Sequence, residues 1–283
     1  MKKLKNPHKK RRIAPFWQTK MPYLHETNIS FAGFRALGYI MAFLAGAINA
    51  GGFFAVNRYT SHMSGELARI ADTIYTGEFR QAIISAILVV CFILGAAHSS
   101  WTILWAKRHR FRSSYGISMW MEALYMLIFG LLGASLITWG KNLNFFISPT
   151  IMLMCFIMGM HNTVMTVLSS GVIRTTHMTG FATDIGIELS KVLYYSRSTN
   201  PRLPDVHVNM PKIKLFSGVI ISFVCGGIFG AWGFYTLGYK FVLPVAVILF
   251  LLGFGSIGYD VRLRIRIWLY RRYKKRLKKN KIS

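Results

Sequence analysis

Thr60-Ser61-His62-Met63-Ser64-Gly65 and Thr175-Thr176-His177-Met178-Thr179-Gly180 are the two stretches that decide how this chain is organised. Thr-[ST]-His-Met-[ST]-Gly is a polar string in an otherwise apolar chain, so its return marks a repeat. Each copy trails an apolar run. The first run closes on Gly46-Ala47-Ile48-Asn49 and the second contains Gly159-Met160-His161-Asn162, so glycine and asparagine keep their spacing. The second copy holds a two-residue insertion between that asparagine and the hexapeptide. A weaker match follows, Phe92-x-x-Gly95-Ala96 against Phe223-x-x-Gly226-Gly227.

The runs around these motifs are long enough to cross a membrane. A hydrocarbon core of about 30 Å takes about 20 apolar residues of helix. Six runs meet that length or approach it: 34–56, 81–106, 115–138, 148–170, 213–236 and 241–259. The chain has 283 residues, of which 53% are hydrophobic and 16% charged, with a mean hydropathy of +0.39. A soluble domain carries about 25% charged residues to cover its surface. The fold expected is therefore an all-α membrane protein with six transmembrane helices.

Three spans per half is an odd number. The second half must then enter the bilayer from the side opposite to the first, giving two inverted three-helix repeats. Loop charge agrees independently. The N-terminal arm, the loop Lys107-Arg108-His109-Arg110-Phe111-Arg112, the segment with Arg174, Lys191, Arg197, Arg202 and Lys212, and the tail are all basic. In the alternate loops Arg58, Arg69 and Arg80 are offset by Glu66, Asp72 and Glu78, and Lys141 and Lys240 stand nearly alone. Basic loops stay in the cytoplasm, so both termini are expected there. The division is a basic arm at 1–32, repeat 1 at 33–140, repeat 2 at 141–260 and a basic tail at 261–283. The location implied is a bacterial inner membrane.

The net charge of +26 is concentrated at the two ends. In a soluble protein it would point to nucleic acid. Beside membrane spans it reads as the positive-inside bias plus attraction to anionic headgroups, worth about 1 kcal/mol per basic residue. The tail is either an interfacial helix, with Val261, Leu263, Ile265, Trp268, Leu269 and Tyr273 toward lipid, or a solvated charge run. Cys91, Cys155 and Cys225 lie in apolar runs without CxxC spacing, which indicates neither a disulfide framework nor a zinc site. No cleavable signal peptide is expected, because polar residues precede a full-length first run.

Each hexapeptide is followed by a short stretch, 66–75 and 181–195, that reads as helical but too charged to span. One picture is a helix that breaks at His-Met-[ST]-Gly and restarts, its free N–H groups aimed at a central cavity. Ser64 and Thr179 would cap the new helices ahead of Gly65 and Gly180. The plainer picture is a turn between a span and a surface helix.

Gly159-Met160-x-Asn162 and Ile173-Arg174-Thr175-Thr176-His177-Met178-Thr179-Gly180-x-x-Thr183-Asp184 resemble the second-repeat signature of the YoaK-type family. These are uncharacterised bacterial multi-pass membrane proteins. Gly46-x-x-Asn49-Ala50 and His62-Met63-Ser64-Gly65 resemble its first repeat, as does the acidic residue of the third span. The resemblance covers roughly 33–260. It departs at Asn49, Glu66 and His161, where the family pattern has Asp, Asn and Gln. Asn49 carries no proton, which removes a carboxylate from that position. The resemblance implies the fold and names no substrate.

Glu122 stands in the middle of Met119-Trp120-Met121-Glu122-Ala123-Leu124. A carboxylate in a bilayer must face the bundle interior, be neutral or be paired. It is either a proton or cation site, or a neutral group bonded to a neighbouring helix. Asn49 and Asn162 are equivalent amides, read as substrate contacts or as interhelical bonds. Histidine as a residue type changes charge near physiological pH, so His62 and His177, with His98 and His161 elsewhere, leave a pH-sensing or proton-relay role open. Asp184 and Glu188 lie one turn apart and either face a cavity or pair with Arg174 or Lys191, surface pairing being the reading preferred. Gly46, Gly51, Gly52, Gly95, Gly226, Gly227 and Gly230 read as helix-packing positions, and Pro244 as a kink.

No ligand spacing for a metal, nucleotide loop or hydrolase elbow is present, so neither an enzyme nor a cofactor is expected. The expected function is a small-molecule or ion transporter with a midplane site built from Asn49, His62, Ser64, Gly65, Glu122, Asn162, His177, Thr179, Gly180 and Asp184. A channel of the same topology and a non-transporting scaffold are the alternatives. The expected partners are the bilayer, anionic headgroups and an unidentified solute, with self-association left open.

Overall fold

A computed structural model describes residues 32–56, 58–109, 111, 113–139, 149–194, 206–254, 257 and 265. The basic arm, most of the tail with its proposed interfacial helix, and the boundary near 140 lie outside these residues. The described residues are helical, with no strand among them. The helices are α1 (Ala32–Val56), α2 (Met63–Tyr75), α3 (Phe79–Arg108), α4 (Ser114–Trp139), α5 (Pro149–Leu168), α6 (Met178–Leu193) and α7 (Met210–Leu237). A 3₁₀ turn at Gly238–Phe241 leads into α8, described over 242–254.

Five helical stretches are long and apolar enough to cross a membrane: 34–53, 79–108, 114–134, 149–168 and 210–254. The fifth contains 45 residues, far more than one crossing needs, and covers the expected run 213–236 and the first part of 241–259. Gly238 interrupts it with φ 56°, a left-handed conformation that side-chain-bearing residues disfavour. Phe241 then folds back on Phe229, Gly233 and Phe234, and α8 runs antiparallel along α4. Val242 lies by Gly130, and the Trp120 indole N–H donates to the Phe250 carbonyl at 3.0 Å. The expected sixth run, 241–259, extends past the described part of α8.

The outer faces of α3 and α7 explain why the fold needs lipid. Val90, Ile93, Leu94, Trp101 and Leu104 are exposed on α3, and Ile221, Val224, Ile228, Trp232 and Tyr235 on α7. Continuous apolar surface of this kind matches a hydrocarbon solvent.

Two parallel crossings form the core. The largest interface joins α1 to α7, and the next joins α3 to α5. They match residue for residue. Gly46 of α1 sits on the Phe223 carbonyl of α7, and Gly159 of α5 sits on the Phe92 carbonyl of α3. Gly226 sits on the Phe43 carbonyl, and Gly95 on the Phe156 carbonyl. In all four cases an added Cβ would overlap partner backbone, so glycine is what lets the helices come this close. Helix α1 runs antiparallel to α5, since Gly38 lies near Met165 and Ile173 while Met41 meets His161.

Candidate functional site

A buried polar pair joins α4 and α5 within the bundle. Glu122 of α4 and His161 of α5 are both 0% exposed. His161 Nδ1 lies 2.6 Å from Glu122 Oε1, and His161 Nε2 lies 2.8 Å from the Met41 carbonyl of α1. A carbonyl only accepts, so Nε2 carries a hydrogen and donates. The bond at Nδ1 then needs one further proton, held either by the carboxyl or by the ring. Glu122 and His161 share it, and the pair is neutral overall in both forms. Glu122 Oε2 has no hydrogen-bond partner among the described residues.

The sequence explains this placement. Glu122 lies on the α4 face that also carries Met119, Met126 and Phe129, all buried. His161 follows Ile157 and Met158 on the buried face of α5, the helix in contact with α1, α3 and α4. A carboxylate alone here would cost several kcal/mol, and a hydrogen-bonded partner offsets that cost. His161 stood among the histidines open to a proton role but was not among the expected site residues. Only its place beside a buried acid gives it weight.

The hexapeptides lie elsewhere. Thr60 packs on Gly52 near the end of α1, and Ile173, just before the second hexapeptide, packs on Gly38 near its start. Helical rise puts those two glycines about 21 Å apart. The picture of both breaks facing one central cavity is therefore corrected: because α1 and α5 are antiparallel, their ends point opposite ways. The expected caps are corrected too. The N-cap residues are His62 and His177, neither making a side-chain capping bond, and Ser64 and Thr179 are exposed in the first turns. Each histidine ring folds over the glycine three residues on, Gly65 or Gly180.

Both amides act within their own half. Asn49 Oδ1 accepts from the Ser61 N–H at 3.1 Å and the Ser61 hydroxyl at 2.8 Å. Asn162 Oδ1 accepts from the Thr175 hydroxyl at 3.4 Å. Each asparagine fastens the turn that leaves its helix. Asp184 pairs with Lys212 at 3.0 Å, not with Arg174 or Lys191, because α6 lies along the start of α7. Glu188 pairs with Lys191 at 2.9 Å as expected, and also accepts from the Asn209 N–H at 2.9 Å. The Asn209 N–H first, then Lys191, hold the Glu188 carboxyl below its usual range.

An open cleft marks each end of α1. One, of about 500 Å³, is lined by Arg35, Val172, Asn209, Lys212, Leu215 and Phe216. The other, of about 520 Å³, is lined by Arg58, Arg69, Asp72, Glu78 and Gln81 among others. Arg58 there bonds Glu66 at 3.1 Å and Gln81 at 3.2 Å. Along the chain, the Met41 carbonyl that holds His161 falls between Arg35 of one cleft and Arg58 of the other.

Residues 37–255, most of the chain, match the family described as "Protein of unknown function (DUF1275)". The chain belongs to that family. No curated protein and no solved structure matches it. Membership in DUF1275 agrees with the resemblance to the uncharacterised YoaK-type proteins, and the apolar helices mark a membrane protein.

Proposed function

We propose that this DUF1275 protein is a non-enzymatic, proton-linked carrier of a small molecule or ion, built from two inverted three-helix repeats in a bacterial inner membrane. Both termini face the cytoplasm, as the loop charges require. The matched crossings of α1 with α7 and of α5 with α3 support the inverted repeat, because each pairs a first span with the second span of the other half.

The observation that carries the reading is the Glu122–His161 pair held against the Met41 carbonyl. It joins α4 and α1 of the first half to α5 of the second. With its shared proton, the histidine makes both bonds. Without it, a neutral ring has one N–H and must give up either Glu122 or Met41. Proton loss thus opens one link between the halves. An ionisable group inside a membrane is a functional site by default. The clefts at the ends of α1 are the two mouths. The solute site moves from the hexapeptides to the surroundings of the pair.

Reconstitution into liposomes with an imposed proton gradient, followed by a solute panel, tests the carrier. Gradient-driven accumulation should occur with the unaltered chain and vanish with Glu122→Gln. Equal uptake by the two removes the proton link.

A further inference from the structure

Buried serines lie on one side of the buried pair, among apolar neighbours such as Tyr115 and Met119. Toward the start of α4, Ser118 and Ser114 lie one and two turns before Glu122, at four-residue spacing on one face, and both are buried. Ser113 is buried beside them. From α3, the Ser99 hydroxyl lies 2.8 Å from the Ser118 hydroxyl. Toward the other end, Met126 and Phe129 continue α4, and Ile48, Phe241 and Val245 share that apolar core. Buried hydroxyls in apolar surroundings carry a desolvation cost unless something uses them. Glu122 Oε2, the carboxyl oxygen turned away from His161's bond, lacks a partner among the described residues.

We propose that Ser114, Ser118 and Ser99 form a one-sided proton path that loads Glu122 Oε2 from the end of the bundle where α3 passes to α4. This rests on the proton-linked reading of the pair and adds a direction to it. Loop charge places that end in the cytoplasm. In each step Ser118 Oγ gives its proton to a bridging water, which passes one of its own to the carboxylate, and Ser118 takes one from Ser99 Oγ at 2.8 Å. Ser99 is re-protonated from the Ser114 side, so one proton enters and no hydroxyl stays charged. Four residues of helix rise about 6 Å, a gap that one bridging water spans.

The groups around Glu122 leave this side open to a relay. Helix α5 presents His161, and α1 presents the Met41 carbonyl, with Arg35 and Tyr39 nearer its start. Helix α3 presents Ser99 and His98, the latter 3.4 Å from the Tyr125 hydroxyl. The described part of α8 has no ionisable residue. Where α3 passes to α4, the Lys107 ammonium sits 5.1 Å above the Tyr115 ring.

The test is time-resolved infrared spectroscopy of the Glu122 carboxyl band, assigned with Glu122→Gln, in sealed vesicles of uniform orientation. The pH is stepped on one side at a time. The band should respond promptly to a step on the α3–α4 side and stay unchanged, over that time, after a step on the other. Ser118→Ala and Ser99→Ala should each slow the response roughly tenfold, the rate equivalent of one lost buried hydrogen bond, with an unchanged end point. Ser85→Ala, a buried hydroxyl off this stripe, should match the unaltered rate. An equal response from both sides, or unaltered rates in both serine variants, overturns the path. A band that never titrates overturns the path and the proton-linked reading together. The expected sidedness with no gradient-driven solute uptake sinks the carrier and leaves the path standing.

Discussion

His161 Nδ1 and Glu122 Oε1 stand 2.6 Å apart with neither side chain exposed. A buried pair of this kind is destabilised when one member is removed, because the other is left with an unmet polar group. His161→Ala should lower stability by about 3 kcal/mol, read as thermal unfolding in detergent or bilayer. His161→Gln has two amide donors, enough for both Glu122 and the Met41 carbonyl. It should unfold within about 1 kcal/mol of the unaltered chain and yet lose the proton-dependent response. A His161→Gln variant that responds to pH normally would show that the ring carries no proton in the mechanism.

The crossings predict a second pattern, in matched pairs. Gly46→Ala and Gly159→Ala should be destabilising to a similar degree, as should Gly95→Ala and Gly226→Ala, each by about 1–3 kcal/mol. Each new methyl meets backbone of the partner helix, which cannot rotate away. Gly186→Ala in α6 has nothing within 4 Å and should stabilise slightly, by about 0.5–1 kcal/mol. Unequal costs within a pair would argue that the halves are not equivalent in packing.

These patterns divide what the chain states openly from what it hides. The long helices follow from run length, because an apolar run of that size has few other places to go. The duplicated Gly-x-x-Asn and His-Met motifs reveal related segments, and the short helices after them begin at Met63 and Met178. Partner choice is different. Nothing in α1 alone says that Gly46 meets Phe223 of the other half, since small-residue faces are compatible with several neighbours. His161 and Glu122 are far apart in sequence, and neither belongs to a ligand motif. Their pairing depends on the antiparallel contact of α4 with α5, which only the packed bundle reveals. The hexapeptides drew attention because they are polar and repeated, yet their repetition reflects a turn that both halves need.

That last point is itself testable. His62→Ala and His177→Ala should leave the Glu122 carboxyl band and its pH response unaltered, because both rings are exposed and lie toward the ends of the bundle. Asn49→Ala should act locally, by about 1 kcal/mol, through the lost bonds to Ser61. Hydrogen exchange confined to the 58–66 amides would register it. A shift of the Glu122 band in either histidine variant would restore the hexapeptides to the central site.

Glu188 gives a prediction in acid. Its carboxylate joins α6 to the start of α7 through the Asn209 N–H and pairs with Lys191 on its own helix, and these contacts lower its carboxyl affinity for protons. A lowered folded value stabilises the charged form. The contribution is fully present above the ordinary glutamate value of about 4.3 and is lost as pH falls through the lowered one. The α6 amides near 185–193 should therefore exchange faster, relative to α3, only in the acid range below about pH 4. Glu188→Gln should remove that pH dependence while leaving exchange in α3 unchanged. Loosening of α6 that begins near neutral pH would point instead to a histidine, and would remove Glu188 as its cause.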